Sequence, residues 1–214
     1  MNGAEADLVV IAKEPVPGRV KTRLTPAYTP AEAAALAEAS LRDTLAAVAA
    51  APARRRVLAL DGTPGRWLPR GFTVIAQRGG GLDERLACAF DDAFAGRPLL
   101  LIGMDTPQVT PRLLDQARRA LDRHGAVVGP AADGGFWLLG LRRPDPRLLR
   151  GVPMSRSCTA AVLLARLRAA GLDAGFLPRL TDVDTPADAR AVAARAPGGR
   201  FAAAVRALGD RTAA

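Results

Sequence analysis

Four cations stand within one short stretch of the chain, Lys13-Glu14-Pro15-Val16-Pro17-Gly18-Arg19-Val20-Lys21-Thr22-Arg23, directly after the apolar run Leu8–Ala12. Only Glu14 opposes Lys13, Arg19, Lys21 and Arg23, so the stretch suits a small polyanion such as a nucleoside polyphosphate. Lysine supplies a point charge and arginine a planar fork that can hold two oxygens. Backbone N–H groups near Gly18 can turn toward phosphate oxygens. The two prolines restrict the loop and lower the entropy lost when it closes on a ligand. A solvated basic loop is the plainer alternative, but it does not explain why the cations follow the first apolar run. The GxxxxGK[ST] spacing of a Walker A loop is absent.

Acids follow other apolar runs. Asp105, in Met104-Asp105-Thr106-Pro107, comes after Pro98–Gly103, where a carboxylate can ligate Mg2+ together with phosphate oxygens. It could equally serve the turn before Thr110. Asp182 and Asp184 lie two apart and share a side if the backbone is extended, so one of them could complete a metal site. Asp184 could instead only cap a helix, and Asp182 could hold an arginine. In Ala132-Asp133-Gly134-Gly135 the glycine pair lets backbone approach a ligand, and Asp133 could bind an acceptor's hydroxyls. The same residues also make a good hairpin turn. Gln77 precedes Arg78-Gly79-Gly80-Gly81: its amide could read a nucleobase edge, with Gly80 and Gly81 letting the base lie on the backbone. With His124 the only histidine, no hydrolase triad is supported, and the two cysteines, Cys88 and Cys158, give no zinc spacing.

These residues can meet only if a repeating framework brings the ends of the apolar runs together. Continuous apolar runs predict buried strands at Leu8–Ala12, Arg56–Leu60, Phe72–Gln77, Pro98–Gly103, Gly125–Pro130, Phe136–Leu141 and around Gly175–Leu177. Helices are expected from Pro30 to about Ala51, over Leu82–Ala95, from Pro111 to about Arg123, over Cys158–Ala170, from Pro186, and in a last stretch at about 199–209. Three of them start at Thr-Pro pairs, Thr29-Pro30, Thr110-Pro111 and Thr185-Pro186, with threonine as N-cap and proline in the first turn. Strand–helix alternation predicts one α/β domain with a mainly parallel sheet, in which ligands sit beyond the carboxyl ends of the strands.

Composition agrees. The chain has 214 residues, 49% hydrophobic and 24% charged, which excludes a disordered chain, and two cysteines exclude a disulfide scaffold. No apolar run approaches the roughly 20 residues of a membrane span, and the N-terminus lacks a basic signal-peptide region, so a soluble cytoplasmic protein without a membrane partner is expected. The net charge of +9 is spread over scattered arginines, with one run at Arg54-Arg55-Arg56. No nucleic-acid-binding signature accompanies it, and no nucleic-acid partner is expected. The only two lysines, Lys13 and Lys21, both fall in the first loop.

In their order, AKEPVPGRVKTRL, QRGGGLDERL, LLIGMDTPQVT, GPAADGGFWLLGL and TDVDTPADAR resemble the DUF2064 family, often labelled as glycosyltransferases, over about residues 7–195. KTRL and DVDTPAD also resemble the 2-phospholactate guanylyltransferases of deazaflavin-cofactor synthesis. The resemblance implies the nucleotide-diphospho-sugar transferase (GT-A) fold, a Rossmann-like three-layer α/β/α domain with a mainly parallel mixed sheet. It implies phosphate contacts from Lys13, Arg19, Lys21 and Arg23 around Gly18, base contact near Gln77, and Mg2+ or Mn2+ at Asp105 with Asp184 or Asp182. The acceptor would lie near Asp133, Gly134 and Gly135. Two reactions fit: nucleotidyl transfer from a nucleoside triphosphate to a small phosphorylated acceptor, or glycosyl transfer from a nucleotide sugar. The single Asp105 where glycosyltransferases of this fold show DxD, and the four-cation loop, favour nucleotidyl transfer. Lys21, Arg19 and Asp105 are the expected catalytic residues.

Overall fold

In a computed structural model, which describes residues 5–212, seven strands form one sheet: β1 Asp7–Lys13, β2 Arg56–Asp61, β3 Thr73–Ala76, β4 Leu99–Gly103, β5 Ala126–Pro130, β6 Phe136–Leu141 and β7 Ala174–Phe176. Their spatial order is β3-β2-β1-β4-β6-β5-β7, and only β6 runs antiparallel to its neighbours. The predicted strands all form, each within two residues of its expected bounds. Chain order reverses direction between β1 and β4, which opens a crevice at their carboxyl ends.

The helices are α1 Pro30–Ala50, α2 Leu82–Ala93, α3 Pro111–Ala120, α4 Thr159–Ala169, α5 Pro186–Arg195 and α6 Arg200–Thr212. Alternate residues of the central strands face opposite ways. Leu8, Val10, Leu58, Leu100 and Ile102 pack with α1 and α3, while Val9, Val57, Leu99 and Leu101 pack with α2 and α4. Both faces are therefore covered, as the unbroken apolar runs require. A further layer lies outside the sheet's own: Leu36 of α1, Leu24, Val183, Val192 of α5 and Phe201 of α6 share a third cluster. Asp43 of α1 fastens it by accepting the Arg200 and Phe201 N–H groups at 3.0 and 2.9 Å.

All three Thr-Pro starts are helix N-caps, with Thr29, Thr110 and Thr185 accepting the N–H groups of Glu32, Leu113 and Asp188. Glu32 and Asp188 return the bond to the cap backbone, closing two capping boxes. The arginine run is consumed by the fold. Arg56 donates to the Val48 and Ala51 carbonyls at the end of α1, and Arg55 to the Ala93 carbonyl at the end of α2. Arg55 also lies 2.7 Å from Asp7, which is fully buried, with Arg97 at 3.8 Å. Removing Arg55 leaves that buried carboxylate with one distant partner, so Arg55→Ala is expected to cost about 3 kcal/mol in urea unfolding. A loss under about 1 kcal/mol, the scale of a surface pair, would show that Arg97 suffices.

Candidate active site

A cleft of about 620 Å³ opens at the carboxyl ends of β1 and β4 and the amino end of the antiparallel β6. The loop after β1 brings Lys13, Arg19, Lys21 and Arg23 to it, and the loop after β4 brings Asp105. Asp182 and Asp184 reach it from an irregular segment before α5, Asp133 and Gly135 from the β5–β6 turn, and Gln77 and Gly80 from the end of β3. Gly18, Gly81 and Gly134 shape the adjoining backbone. Gly18 turns at φ +77°, and Gly81 is the N-cap of α2. Gly134 sits at φ +90°, where a Cβ would run into the Ser157 carbonyl.

Lys21 is the centre of the arrangement. Its backbone is left-handed at φ 50°, a conformation costly for a residue with a Cβ and seldom kept without a function. That turn starts a 3-10 segment, Thr22–Leu24, whose Leu24 is buried beneath α1 and α5. The ammonium lies 2.7 Å from Asp105 Oδ1 and 3.6 Å from Asp184 Oδ1, and donates to the Val183 carbonyl. Its side chain is 7% exposed, against 43% and 37% for the two aspartates, so the carboxylates keep an open side toward the cleft. Arg23 contacts the other oxygen of Asp184 at 3.2 Å.

The cation loop thus differs from the expectation of four cations held ready for phosphates. Lys21 and Arg23 are engaged by acids from distant segments, a cross-chain pairing that residue spacing cannot reveal. Among the described residues Lys13 and Arg19 have no ion-pair partner, so they are the cations left to meet an incoming anion.

Asp182 is half-buried behind this pair. Burial first, then the charges of Asp105, Asp133 and Asp184, push its carboxyl up from an ordinary 3.8 to about 7, against the opposing pull of Lys21. Negative charge therefore exceeds what Lys21 neutralises, which is the environment a divalent cation relieves. Among the described residues no three His, Cys, Asp or Glu side chains converge closely enough to hold a metal by themselves. An ion here would take one or two carboxylates and complete its shell from phosphate oxygens and water, the ordinary habit of Mg2+.

Two other expectations are modified by local bonding. Gln77 Nε2 donates to the Ala12 and Ala59 carbonyls at 2.7 and 3.0 Å, so the amide nitrogen is spent on the ends of β1 and β2. Only its carbonyl oxygen remains to meet a base. Asp133 Oδ1 accepts the Gly135 N–H at 2.8 Å, so the aspartate braces the hairpin while still lining the cleft. Trp137 is core, its Nε1 donating to the Pro178 carbonyl. His124 pairs with Asp173 at 2.7 Å near a helix end, outside the cleft lining.

Residues that sequence reasoning missed also line the cleft: Ser155, left-handed at φ 55°, with Thr159 and Arg85. Arg85 pairs with Asp61 at 2.8 Å and donates to the Gly80 carbonyl, stiffening the loop after β3. QRGGGLDERL contains Arg85 at a helical spacing from Gly81, which could have suggested that contact. Nothing in VPMSRSC announces a left-handed serine.

Fold and cleft together define a class of protein: transferases that act on a nucleotide donor, built on the nucleotide-diphospho-sugar transferase fold. Comparison with known proteins agrees. A protein of Desulfovibrio desulfuricans G20, solved as a candidate nucleotide-diphospho-sugar transferase, superposes with a TM-score of 0.84 at 27% identity over 96% of each chain. Rv0371c of Mycobacterium tuberculosis H37Rv, solved in complex with manganese, shares the fold with a TM-score of 0.55 at 20% identity, over 89% of this chain and 98% of that one. By sequence, the chain is 36% identical over 205 residues to the 3-phospho-D-glycerate guanylyltransferase of Phenylobacterium zucineum (strain HLK1), spanning 86% of this chain and 88% of that enzyme. Residues 30–156 match the family described as uncharacterized protein conserved in bacteria, DUF2064, and the chain belongs to that family.

The raised Asp182 carboxyl has a measurable consequence. Between its unfolded value of 3.8 and its folded value of about 7, the folded chain holds a proton that the unfolded chain has lost. Stability must therefore fall as pH rises through that window. In metal-free buffer the melting temperature of the native protein is expected to drop relative to Asp182→Asn from about pH 4 to about pH 7, then run parallel to it. Parallel curves throughout would mean that the carboxyl ionises as in water.

Proposed function

We propose that residues 7–195, with α6 packed on their outer layer, act as one domain that transfers a nucleotidyl group from a nucleoside triphosphate to a small phosphorylated acceptor. The observation that carries this reading is the juxtaposition of two unpaired cations, Lys13 and Arg19, with an acid cluster around Lys21 at the carboxyl ends of β1 and β4. The 36% identical relative directs the choice of substrates, GTP as donor and a phosphorylated acid such as 3-phospho-D-glycerate as acceptor.

In this reading an acceptor phosphate oxygen attacks the α-phosphorus of the triphosphate. The new P–O bond forms as the bond to the bridging β-oxygen breaks, and pyrophosphate leaves with the electron pair. An ionised phosphate oxygen needs no general base, which suits a cleft without a histidine. Catalysis is then positioning and charge neutralisation. Lys13 and Arg19 hold the β- and γ-phosphates, with backbone support near Gly18. Lys21 and Arg23 lie beside them, and Lys21 counters charge that develops on the transferring group. Asp105 with Asp184 or Asp182 would hold Mg2+ or Mn2+, which would polarise the phosphoryl oxygens. The base lies toward Gln77, Gly80 and Gly81, and the acceptor toward Asp133, Gly134 and Gly135.

Glycosyl transfer from a nucleotide sugar fits less well. The base it requires would be Asp133, whose Oδ1 already accepts the Gly135 N–H, leaving one oxygen for that role. Among the described residues no helix is long and apolar enough to cross a membrane; the cytoplasm, where nucleoside triphosphates are plentiful, suits the proposed reaction.

Pyrophosphate release from GTP, dependent on 3-phospho-D-glycerate and on Mg2+ or Mn2+, is the expected outcome in a coupled assay. Nucleoside diphosphate released from a sugar nucleotide, with no pyrophosphate from any triphosphate, would overturn the reading. Lys21→Ala is expected to lower kcat on the order of 10²–10³-fold, and an unchanged rate would remove Lys21 from the chemistry. Asp105→Asn should abolish metal-dependent turnover; retained activity with normal metal response would assign Asp105 to the turn alone.

A further inference from the structure

Asp182 and Asp184 stand on a segment that belongs to no helix or strand. After the bridge of Leu180 to Ala131, three hydrogen bonds among the described residues tie residues 181–183 to the rest of the fold. Val183 N–H donates to the Asp105 carbonyl at 3.0 Å, Lys21 donates to the Val183 carbonyl, and Gln108 Nε2 donates to the Thr181 carbonyl at 2.9 Å. Burial of Val183 in the outer cluster adds an apolar anchor. Of the two side chains among these donors, Lys21 faces the cleft and must answer to whatever binds there. Gln108 does not line the cleft, so its bond can hold the segment whatever the cleft contains.

Gln108 is also poorly suited to a packing role. Its Oε1 is buried and has no hydrogen-bond partner among the described residues, as is true of its neighbour Thr106 Oγ1 and of Thr44 Oγ1 on α1. A buried amide oxygen without a partner costs stability that an apolar side chain of similar size would not, even on a half-buried residue such as Gln108. The single bond that the amide does make joins the loop carrying Asp105 to the segment carrying Asp182 and Asp184. The Asp105 loop is itself fixed from both sides: Ser40 of α1 donates to the Met104 carbonyl at 2.8 Å, and Lys13 N–H to the Met104 sulfur at 3.2 Å. Gln108 therefore extends from one anchored loop to a segment that has no secondary structure of its own.

We propose that Gln108 is a positioning residue, which sets the height of the 181–184 segment against Asp105 so that carboxylates from both can reach one divalent cation. The proposal rests on the metal-binding reading above. It predicts a separation of stability from binding that an ordinary structural residue would not show. Gln108→Met keeps the length and removes the orphaned oxygen. Its melting temperature is expected to stay within about 2 °C of native or to rise. In nucleotide-free protein it should bind Mn2+ about tenfold more weakly by calorimetry, with faster hydrogen exchange at the Val183 amide. In turnover, the metal concentration for half-maximal rate should rise while kcat at saturating metal is kept. Gln108→Glu, which cannot donate when ionised, should reproduce the binding loss.

Mn2+ affinity within twofold of native in Gln108→Met would overturn the proposal, as would unchanged exchange at Val183. A joint fall in melting temperature and affinity would assign Gln108 to general folding and overturn it equally. If the native protein bound no Mn2+ while Gln108→Met still speeded Val183 exchange, the metal-binding reading would fail and the positioning of the segment would stand.

Discussion

Carboxylates gathered at one end of a sheet repel one another, and the fold depends on a single buried ammonium to hold them together. Burial first, and then the nearby charges of Asp105, Asp133 and Asp184, raise the Asp182 carboxyl well above its ordinary range. Lys21 is the cation that penetrates this group, touching Asp105 and Asp184 and the backbone between the latter and Asp182. A compact ammonium on a flexible stem can be almost fully enclosed there, whereas a guanidinium would need acceptors for a wide planar fork. In a chain with 28 arginines and two lysines, that requirement gives the retained lysine a physical reason.

The topology explains how residues so far apart in sequence come to share one ammonium. β1 and β4 are parallel neighbours at the point where chain order reverses, so the loops after them open side by side. The β5–β6 hairpin then turns the chain back, placing Asp133 at the same end of the sheet. The segment before α5 is drawn in by Val183, buried with Leu24, α1, α5 and α6. The outer helical layer thus does more than cover α1. It anchors both the Lys21 loop, through Leu24, and the Asp182–Asp184 segment, through Val183.

Strands, helix starts and the clustering of site residues at the strand ends were legible in the sequence, because each rests on a local rule. Apolar runs mark buried parallel strands, Thr-Pro marks a cap, and a loop after a strand must emerge at the carboxyl end. What sequence could not show were pairings between distant segments. Lys21 and Arg23 read as free phosphate ligands, yet their acid partners lie some 80 and 160 residues along the chain. Gln77 read as an open amide, yet its nitrogen is taken by backbone that only sheet register brings within reach. Ser155 and Gln108 carried no type or spacing that set them apart, since their roles come from a backbone angle and one interloop bond; Arg85 showed only a helical spacing, and its pairing with Asp61 depends on the fold.

The charge balance of the cleft bears on which reaction it can support. Lys13, Arg19, Lys21 and Arg23 face Asp105, Asp133, Asp184 and a partly protonated Asp182, while Arg85 is offset by Asp61, so the resting site is close to neutral, with Lys13 and Arg19 lacking an ion-pair partner among the described residues and the acids crowded. A bare polyphosphate would be drawn to Lys13 and Arg19 but repelled by the acids beyond them. A divalent cation alone would be drawn to the acids but opposed by Lys21. Entering together they satisfy both halves of the cleft, the metal relieving the acids while the phosphates neutralise the cations. This complementarity favours a metal-bound polyphosphate as the arriving species and ties recognition of the donor to assembly of the charges that stabilise transfer. A nucleotide sugar carries a diphosphate as well, so this balance speaks for a metal-bound polyphosphate donor of either kind, and the proposed choice of reaction follows the 36% identical guanylyltransferase.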